Sequence, residues 1–267
     1  MNKNKRIHHK HIHALRDLSH CVNFSGVKIK KGLLFRSSYL GRLSSLEAKK
    51  FIDEFNIGTV IDFRTYDEVN SAPDVHPDLV DYYHLPVLSS FDNPLVTKEN
   101  RNQILLDISK KKGGTVKYLS AIYRKLVSDE NSLEYYRKAF DILLNKKDDK
   151  AVLFHCTQGK DRTGIFAALI LLVLGVEKSA IVTDYLRFNN AYRFKNFMIS
   201  FIVAFRFLSI RVSRDLYYLQ MAHYKLINAS LNEIIKNYES YEKFIKDGLK
   251  LDETEIQKLK DMYLVKA

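Results

Sequence analysis

A chain of 267 residues, 46 % hydrophobic and 28 % charged, has the composition of a folded protein with room for one large α/β domain plus helical additions, which excludes a disordered or fibrous chain. Its two cysteines exclude a disulfide-stapled scaffold and point to a reducing compartment where cysteine serves chemistry or packing. Lys and Arg outnumber Asp and Glu, 43 to 31, for a net charge of +12. That excess is spread along the chain and accompanies no nucleic-acid-binding motif, which leaves an anionic small substrate, an anionic membrane surface or a generally basic solvated surface.

Residues 1–20 are polar and His-rich and are predicted to form a flexible basic N-terminal arm. No apolar stretch of signal-peptide length follows the basic start, so a cytoplasmic location is expected, with export by a signal-independent route as the alternative. His8, His9, His11 and His13 have no acidic or Cys partner at ligand spacing, so a solvated arm is expected there and no metal or other cofactor. Residues 21–267 are predicted to be a single domain. Leu33–Phe35 reads as a strand. Ser44 with Glu47 three residues on is a capping-box pattern and starts a helix running to about Asn56. Thr59–Phe63 and Tyr82–Val87 read as strands, and the polar, Gly- and Lys-rich stretch 89–114 as a long loop. Helical faces follow through Tyr118, Ile122 and Leu126, then through Leu133, Tyr136, Phe140 and Leu143.

Residues 151–176 read as a buried strand, a tight polar loop and an apolar helix. The helical run is far shorter than the ~20 residues of a membrane span. The C-terminal third is predicted to be helical, and Phe194–Ile210 is read either as a buried helix pair or as an apolar lid or interfacial segment. Strands separated by helices predict a mostly parallel central sheet flanked by helices, an α/β fold with a C-terminal helical extension near 190–230.

The loop is His155-Cys156-Thr157-Gln158-Gly159-Lys160-Asp161-Arg162-Thr163-Gly164. A thiol placed between a strand and a helix N-terminus, beside Lys160 and Arg162, sits where thiolates are stabilised. Five residues between Cys156 and Arg162 can curl around a tetrahedral anion, with backbone N–H groups of Thr157 to Thr163 converging on its oxygens. Gly159 lets the chain curve, and the Arg162 guanidinium can grip two phosphate oxygens. The sulfur then attacks phosphorus in line with the leaving oxygen, and the cysteinyl phosphate is hydrolysed. Thr163 is placed to donate a hydrogen bond to the sulfur. Cys21 reads as packing, or as a disulfide partner for Cys156 under oxidation.

At these residues the chain resembles the cysteine-dependent protein tyrosine phosphatases, in the H-C-x-x-G-K-D-R-T-G form of the atypical bacterial tyrosine/phosphoinositide phosphatases. The resemblance extends to Arg16-Asp17-Leu18, Gly32–Ser37, Val60–Arg64 with Glu68, Asp184-Tyr185-Leu186 and the stretch from Tyr238 to Leu264. Ser19-His20 departs from it, where that family carries a Gly pair. The resemblance implies a tyrosine phosphatase-like fold, activity on phosphotyrosine proteins and phosphoinositides, a helical lid after the catalytic helix, and a Lys160 that contacts additional inositol phosphates.

A leaving alkoxide or phenolate needs a proton. Asp161, inside the loop, and Asp92, in the long loop after the strand at 82–87, are the two candidates. Asp62, Arg64 and Glu68 are expected to form an internal ion pair. The expected function is therefore metal-independent phosphomonoester hydrolysis by a monomer, with a non-catalytic phosphoinositide- or membrane-binding module as the alternative. A thiol oxidoreductase is excluded, because the chain has no second cysteine at C-x-x-C spacing.

Overall fold

The computed structural model describes residues 10–75, 80–88, 114–146, 149–192, 198 and 217–265. β1 (Arg16–Asp17), β2 (Leu34–Ser38), β3 (Ile57–Asp62), β4 (Asp81–His84) and β5 (Ala151–Cys156) form a five-stranded sheet in the order β1-β2-β5-β3-β4. β5 is buried at every position, as a central strand covered on both faces must be. β2, β5, β3 and β4 run parallel, and only β1 is antiparallel to its neighbour. The mostly parallel α/β architecture expected from the sequence is present.

Alternation along the strands divides the interior in two. Val152, Phe154 and Cys156 enter the larger core with Leu34 and Ile61. Ala151 and Leu153 enter the smaller one with Phe35 and Val60. Helix α1 (Ser45–Glu54) covers the smaller core through Ala48, Phe51 and Ile52, and starts at the expected capping box of Ser44 and Glu47. α2 (Tyr66–Ser71) is a short helix with its own capping box, Thr65 with Glu68. The larger core is covered by α3 (Gly114–Lys125), α4 (Glu130–Asn145), α5 (Arg162–Val173), α6 (Lys178–Leu186) and α7 (Tyr224–Tyr238). A turn of helix, α8 (Tyr241–Lys243), runs into a π-helical turn at Phe244–Gly248, and α9 (Glu253–Tyr263) closes the chain against α4 through a two-pronged Arg137–Glu255 pair at 3.0 and 2.6 Å. No helix among the described residues is long and apolar enough to cross a membrane.

α5 is buried along its whole length after Arg162. Phe166 sits at the centre of an aromatic cluster with Phe63, Tyr136, Phe140 and Phe154, ring centroids 5.0 to 5.8 Å away. These contacts anchor the helix start beneath the end of β5.

Two readings from sequence change. Residues 10–20, expected in a flexible arm, are held down: Ile12, Leu15 and Leu18 are buried and β1 pairs with β2. The polar residues of this stretch hid three apolar anchors that dock on the sheet edge. The strand expected at 82–87 ends at His84, and the chain turns away at Leu88, whose φ is +60°. Phe194–Ile210, the expected lid, lies outside the described residues except for Met198, as does Asp92.

Candidate active site

The C-terminal ends of β2, β3, β4 and β5 lie side by side, with Ser38 opposite Cys156, and Asp62 opposite both His155 and His84. Open α/β sheets bind their ligands at this edge. Cys156 ends β5, and Thr157 to Asp161 form the loop. Arg162 and Thr163 open α5. The sheet thereby presents the whole predicted loop on the strand-to-helix turn where the sequence placed it.

Gly159 has φ +73°, and a Cβ there would lie 2.3 Å from the Ser37 carbonyl oxygen. Both facts require glycine, since the left-handed region and the close approach to β2 each exclude a side chain. The carbonyl of Gly159 accepts a 3.0 Å hydrogen bond from Arg36 Nη2, and Arg36 Nη1 donates to Asp184 Oδ2 at 2.7 Å. Asp184 Oδ1 also lies 3.4 Å from Arg16 Nε and 3.2 Å from His20 Nε2. The Arg16, Arg36 and Asp184 stretches, far apart in the chain, are thus one buried brace under the loop. Burial would push the Asp184 carboxyl up, but Arg16 and Arg36 outweigh it and hold it well below the usual range. Burial, with the charge of Arg16 adding to it, lowers Arg36 to about 10. Ser19-His20, the departure from the family pattern, forms a short 3-10 turn capped by Asp17, which places the His20 ring on Asp184. Cys21 is buried, and burial with the nearby Asp184 charge raises its thiol to about 12, in keeping with packing rather than reactivity.

The expected grouping of Asp62, Arg64 and Glu68 is half right. Asp62 pairs with Arg64 at 2.7 Å, but Glu68 pairs with Arg162. Oε2 accepts from Nη1 at 2.5 Å and Oε1 from Nη2 at 2.8 Å, with Nη1 also donating to the Phe63 carbonyl at 3.2 Å. Oε1 further accepts from the Thr157 hydroxyl at 2.5 Å. Glu68 is the third residue of α2, and its capping contact with Thr65 aims the carboxylate at the loop. Both Nη atoms of the guanidinium are therefore committed, while its Nε has no hydrogen-bond partner among the described residues. Arg64 instead bridges Asp62 and Asp74, at 2.7 and 2.8 Å, and His155 Nε2 lies 3.0 Å from Asp74 Oδ2. Asp62, Asp74 and His155 lie close enough together to hold a metal ion, and the Arg64 guanidinium pairs with both of the carboxylates. His155 therefore points to the sheet face opposite its neighbour Cys156, because side chains alternate along β5.

Burial alone would raise the Glu68 carboxyl. The charge and hydrogen bonds of Arg162, joined by Thr157 and the Thr65 N–H, bring it down from 4.5 to about 2. The folded-state value lies below the unfolded one, so ionised Glu68 stabilises the fold above about pH 4.5, and that contribution is lost as pH falls towards 2. The shift corresponds to at most about 3 kcal/mol. Urea midpoints measured across this range should fall more steeply for the wild type than for Glu68→Gln, and parallel curves would refute the linkage.

Lys160, expected to face a substrate, is 2 % exposed. Its ammonium donates to the Leu219 carbonyl at 2.5 Å and lies 3.6 Å from Asp161 Oδ1. Gln158 is exposed at the loop's crest. Thr163 Oγ1 is buried with no partner among the described residues, so the expected hydrogen bond to the sulfur is not formed. Asp161 Oδ1 accepts from the Tyr123 hydroxyl. Glu68, Arg36, Asp184, Tyr123 and Tyr185 were not read as site residues. All but Tyr123 lie in stretches that carry the family resemblance, but no spacing rule pairs them with the loop.

This arrangement can hold a tetrahedral anion between a sulfur, a ring of backbone N–H groups and a pinned guanidinium edge. Residues 7–265 match the profile of the Tyrosine phosphatase family. The chain is 29 % identical over 198 residues, 67 % of its length and 70 % of the relative's, to the triple specificity protein phosphatase PtpB of Mycobacterium tuberculosis. It is 30 % identical over 152 residues, 56 % of this chain and 46 % of the relative, to a tyrosine-protein phosphatase of Nostoc commune. Among solved structures, TpbA of P. aeruginosa in complex with phosphotyrosine is a distant likeness, 18 % identical over 60 % of this chain and 70 % of that one, with a TM-score of 0.29.

Proposed function

Because this chain belongs to the tyrosine phosphatase family, we propose that it hydrolyses phosphomonoesters of tyrosine and of inositol lipids through a cysteinyl-phosphate intermediate on Cys156. One observation carries the reading: Cys156 and Arg162 lie at the two ends of a single braced loop, and Glu68 takes one N–H from each Nη atom, which leaves Nε and the second N–H of Nη2 for phosphate. The Cys156 sulfur attacks phosphorus and the ester P–O bond breaks. The Asp161 carboxyl gives its proton to the leaving oxygen. Water then attacks the phosphocysteine, its proton passes to the Asp161 carboxylate, and the S–P bond breaks to release phosphate. Charge developing on the phosphoryl oxygens is met by Arg162 and the N–H groups of the loop. No step calls for a metal. Asp92 is the alternative acid. The breadth of substrate is supported by the triple specificity named for the mycobacterial relative.

The test is phosphate release in EDTA from phosphotyrosine peptides and from short-chain phosphoinositides, compared by kcat/KM. Turnover of both is expected. Release from peptides alone overturns the lipid part, and binding without release from either overturns the catalytic reading.

A further inference from the structure

Asp161 is the N-cap residue of α5, yet its side chain makes no capping hydrogen bond. An aspartate there ordinarily turns its carboxylate onto the N–H groups of the first helical turn. Instead Oδ1 accepts from the Tyr123 hydroxyl and lies 3.6 Å from the Lys160 ammonium. The Tyr123 oxygen is in turn 2.6 Å from the Tyr185 hydroxyl oxygen. A phenol has one proton to donate. Tyr123 spends its own on Asp161, so Tyr185 must donate to Tyr123, and the chain of bonds runs one way from Tyr185 to Tyr123 to Asp161.

The two phenols are built into the core rather than laid on a surface. Tyr123 on α3 and Tyr185 on α6 are each 1 % exposed, with rings edge-on at 6.0 Å. α7 steadies the same place, where Ser230 Oγ donates to the Tyr123 carbonyl at 2.5 Å. Burial, reinforced by the Asp161 charge, pushes both phenols well above their ordinary value, so Tyr123 keeps its proton. The Asp161 side chain itself is 36 % exposed, and its Oδ2 has no partner among the described residues.

We propose that Tyr123, oriented by Tyr185, is a positioning residue for Asp161: by occupying Oδ1 it fixes the carboxyl rotamer and leaves the transferable proton to Oδ2. This rests on Asp161 as the acid of the proposed reaction. In the first step the Oδ2 proton passes to the leaving oxygen as the P–O bond breaks. The carboxylate left behind is a stronger acceptor than the acid was, so the Tyr123 bond tightens as the proton leaves. In the second step Oδ2 takes a proton from the attacking water, and the group is restored.

The experiment measures kcat and KM of the full chain on aryl phosphates whose leaving phenols range from strongly acidic to unsubstituted. A good leaving group needs no proton, so only poor ones report on the acid. Tyr123→Phe is expected to lower kcat about tenfold on phenyl phosphate and to change it little on the most activated ester, with KM nearly constant. Asp161→Asn should show the same graded pattern at about 10²- to 10⁴-fold. Adding Tyr123→Phe to Asp161→Asn should change nothing further, since the two act through one group. If Tyr123→Phe does not fold, Tyr185→Phe carries the test with the same pattern and a smaller loss. A uniform loss across leaving groups, or none, beside a graded Asp161→Asn overturns the positioning role alone. An ungraded Asp161→Asn overturns the acid assignment and the positioning role with it.

Discussion

Cys156→Ser is expected to lower phosphate release from an aryl phosphate in EDTA by about 10⁴- to 10⁶-fold, the scale on which losing a catalytic nucleophile is felt. The substitution is close to isosteric. The loop is shaped by Gly159 against Ser37, by Arg36 on the Gly159 carbonyl and by Glu68 on Thr157 and Arg162. None of these contacts uses the sulfur, so the fold and the anion cradle should survive. What disappears is the nucleophile, because a hydroxyl is far less ionised than a thiol and forms an ester that is harder to release. The variant should therefore still bind phosphotyrosine peptides and melt close to the wild type. Wild-type turnover in this variant would end the assignment of Cys156.

Arg162→Lys keeps the charge and is expected to cost about 10³-fold or more in kcat/KM, since removing one donor to developing charge costs about 10²- to 10³-fold and this change removes a fork. The guanidinium uses both Nη atoms on Glu68 and Nη1 again on the Phe63 carbonyl. A lysine ammonium is a point charge on a flexible stem and cannot span two carboxylate oxygens while presenting a planar edge to phosphate. Glu68, only 16 % exposed, would be left with an incomplete partner, so a lower melting temperature should accompany the lost rate. A loss of less than tenfold on phenyl phosphate would show that the planar edge is not what binds the transferring group.

The parts of the site legible in the sequence are those that local chemistry dictates. The apolar strand Ala151–Cys156, the glycine at 159 and the apolar helix after Arg162 state a strand, a curl and a buried helix within a single stretch of chain. Ser44 with Glu47 marked a helix start for the same reason, since a capping box is complete within four residues. Proximity along the chain misled at Glu68. It was grouped with its neighbours Asp62 and Arg64, although α2 turns it towards a residue 94 positions away.

The short edge strand β1 was hidden as well. It has two residues, neither apolar, so no alternation marks it, and only its pairing with β2 makes it a strand. The Arg36–Asp184 brace, whose partners are 148 positions apart, and the Tyr123–Asp161 bond, whose partners are 38 apart, depend on which elements the sheet order brings beside β5. By itself the sequence determined the strand, the curled loop from Cys156 to Arg162 and the buried helix that follows, because backbone curvature and helix start are local properties. Only the tertiary structure decided which carboxylate pins the arginine, which arginine supports the loop and which phenol holds the aspartate. Buried charges and donors must find partners in space, and strand order rather than chain distance sets who is near.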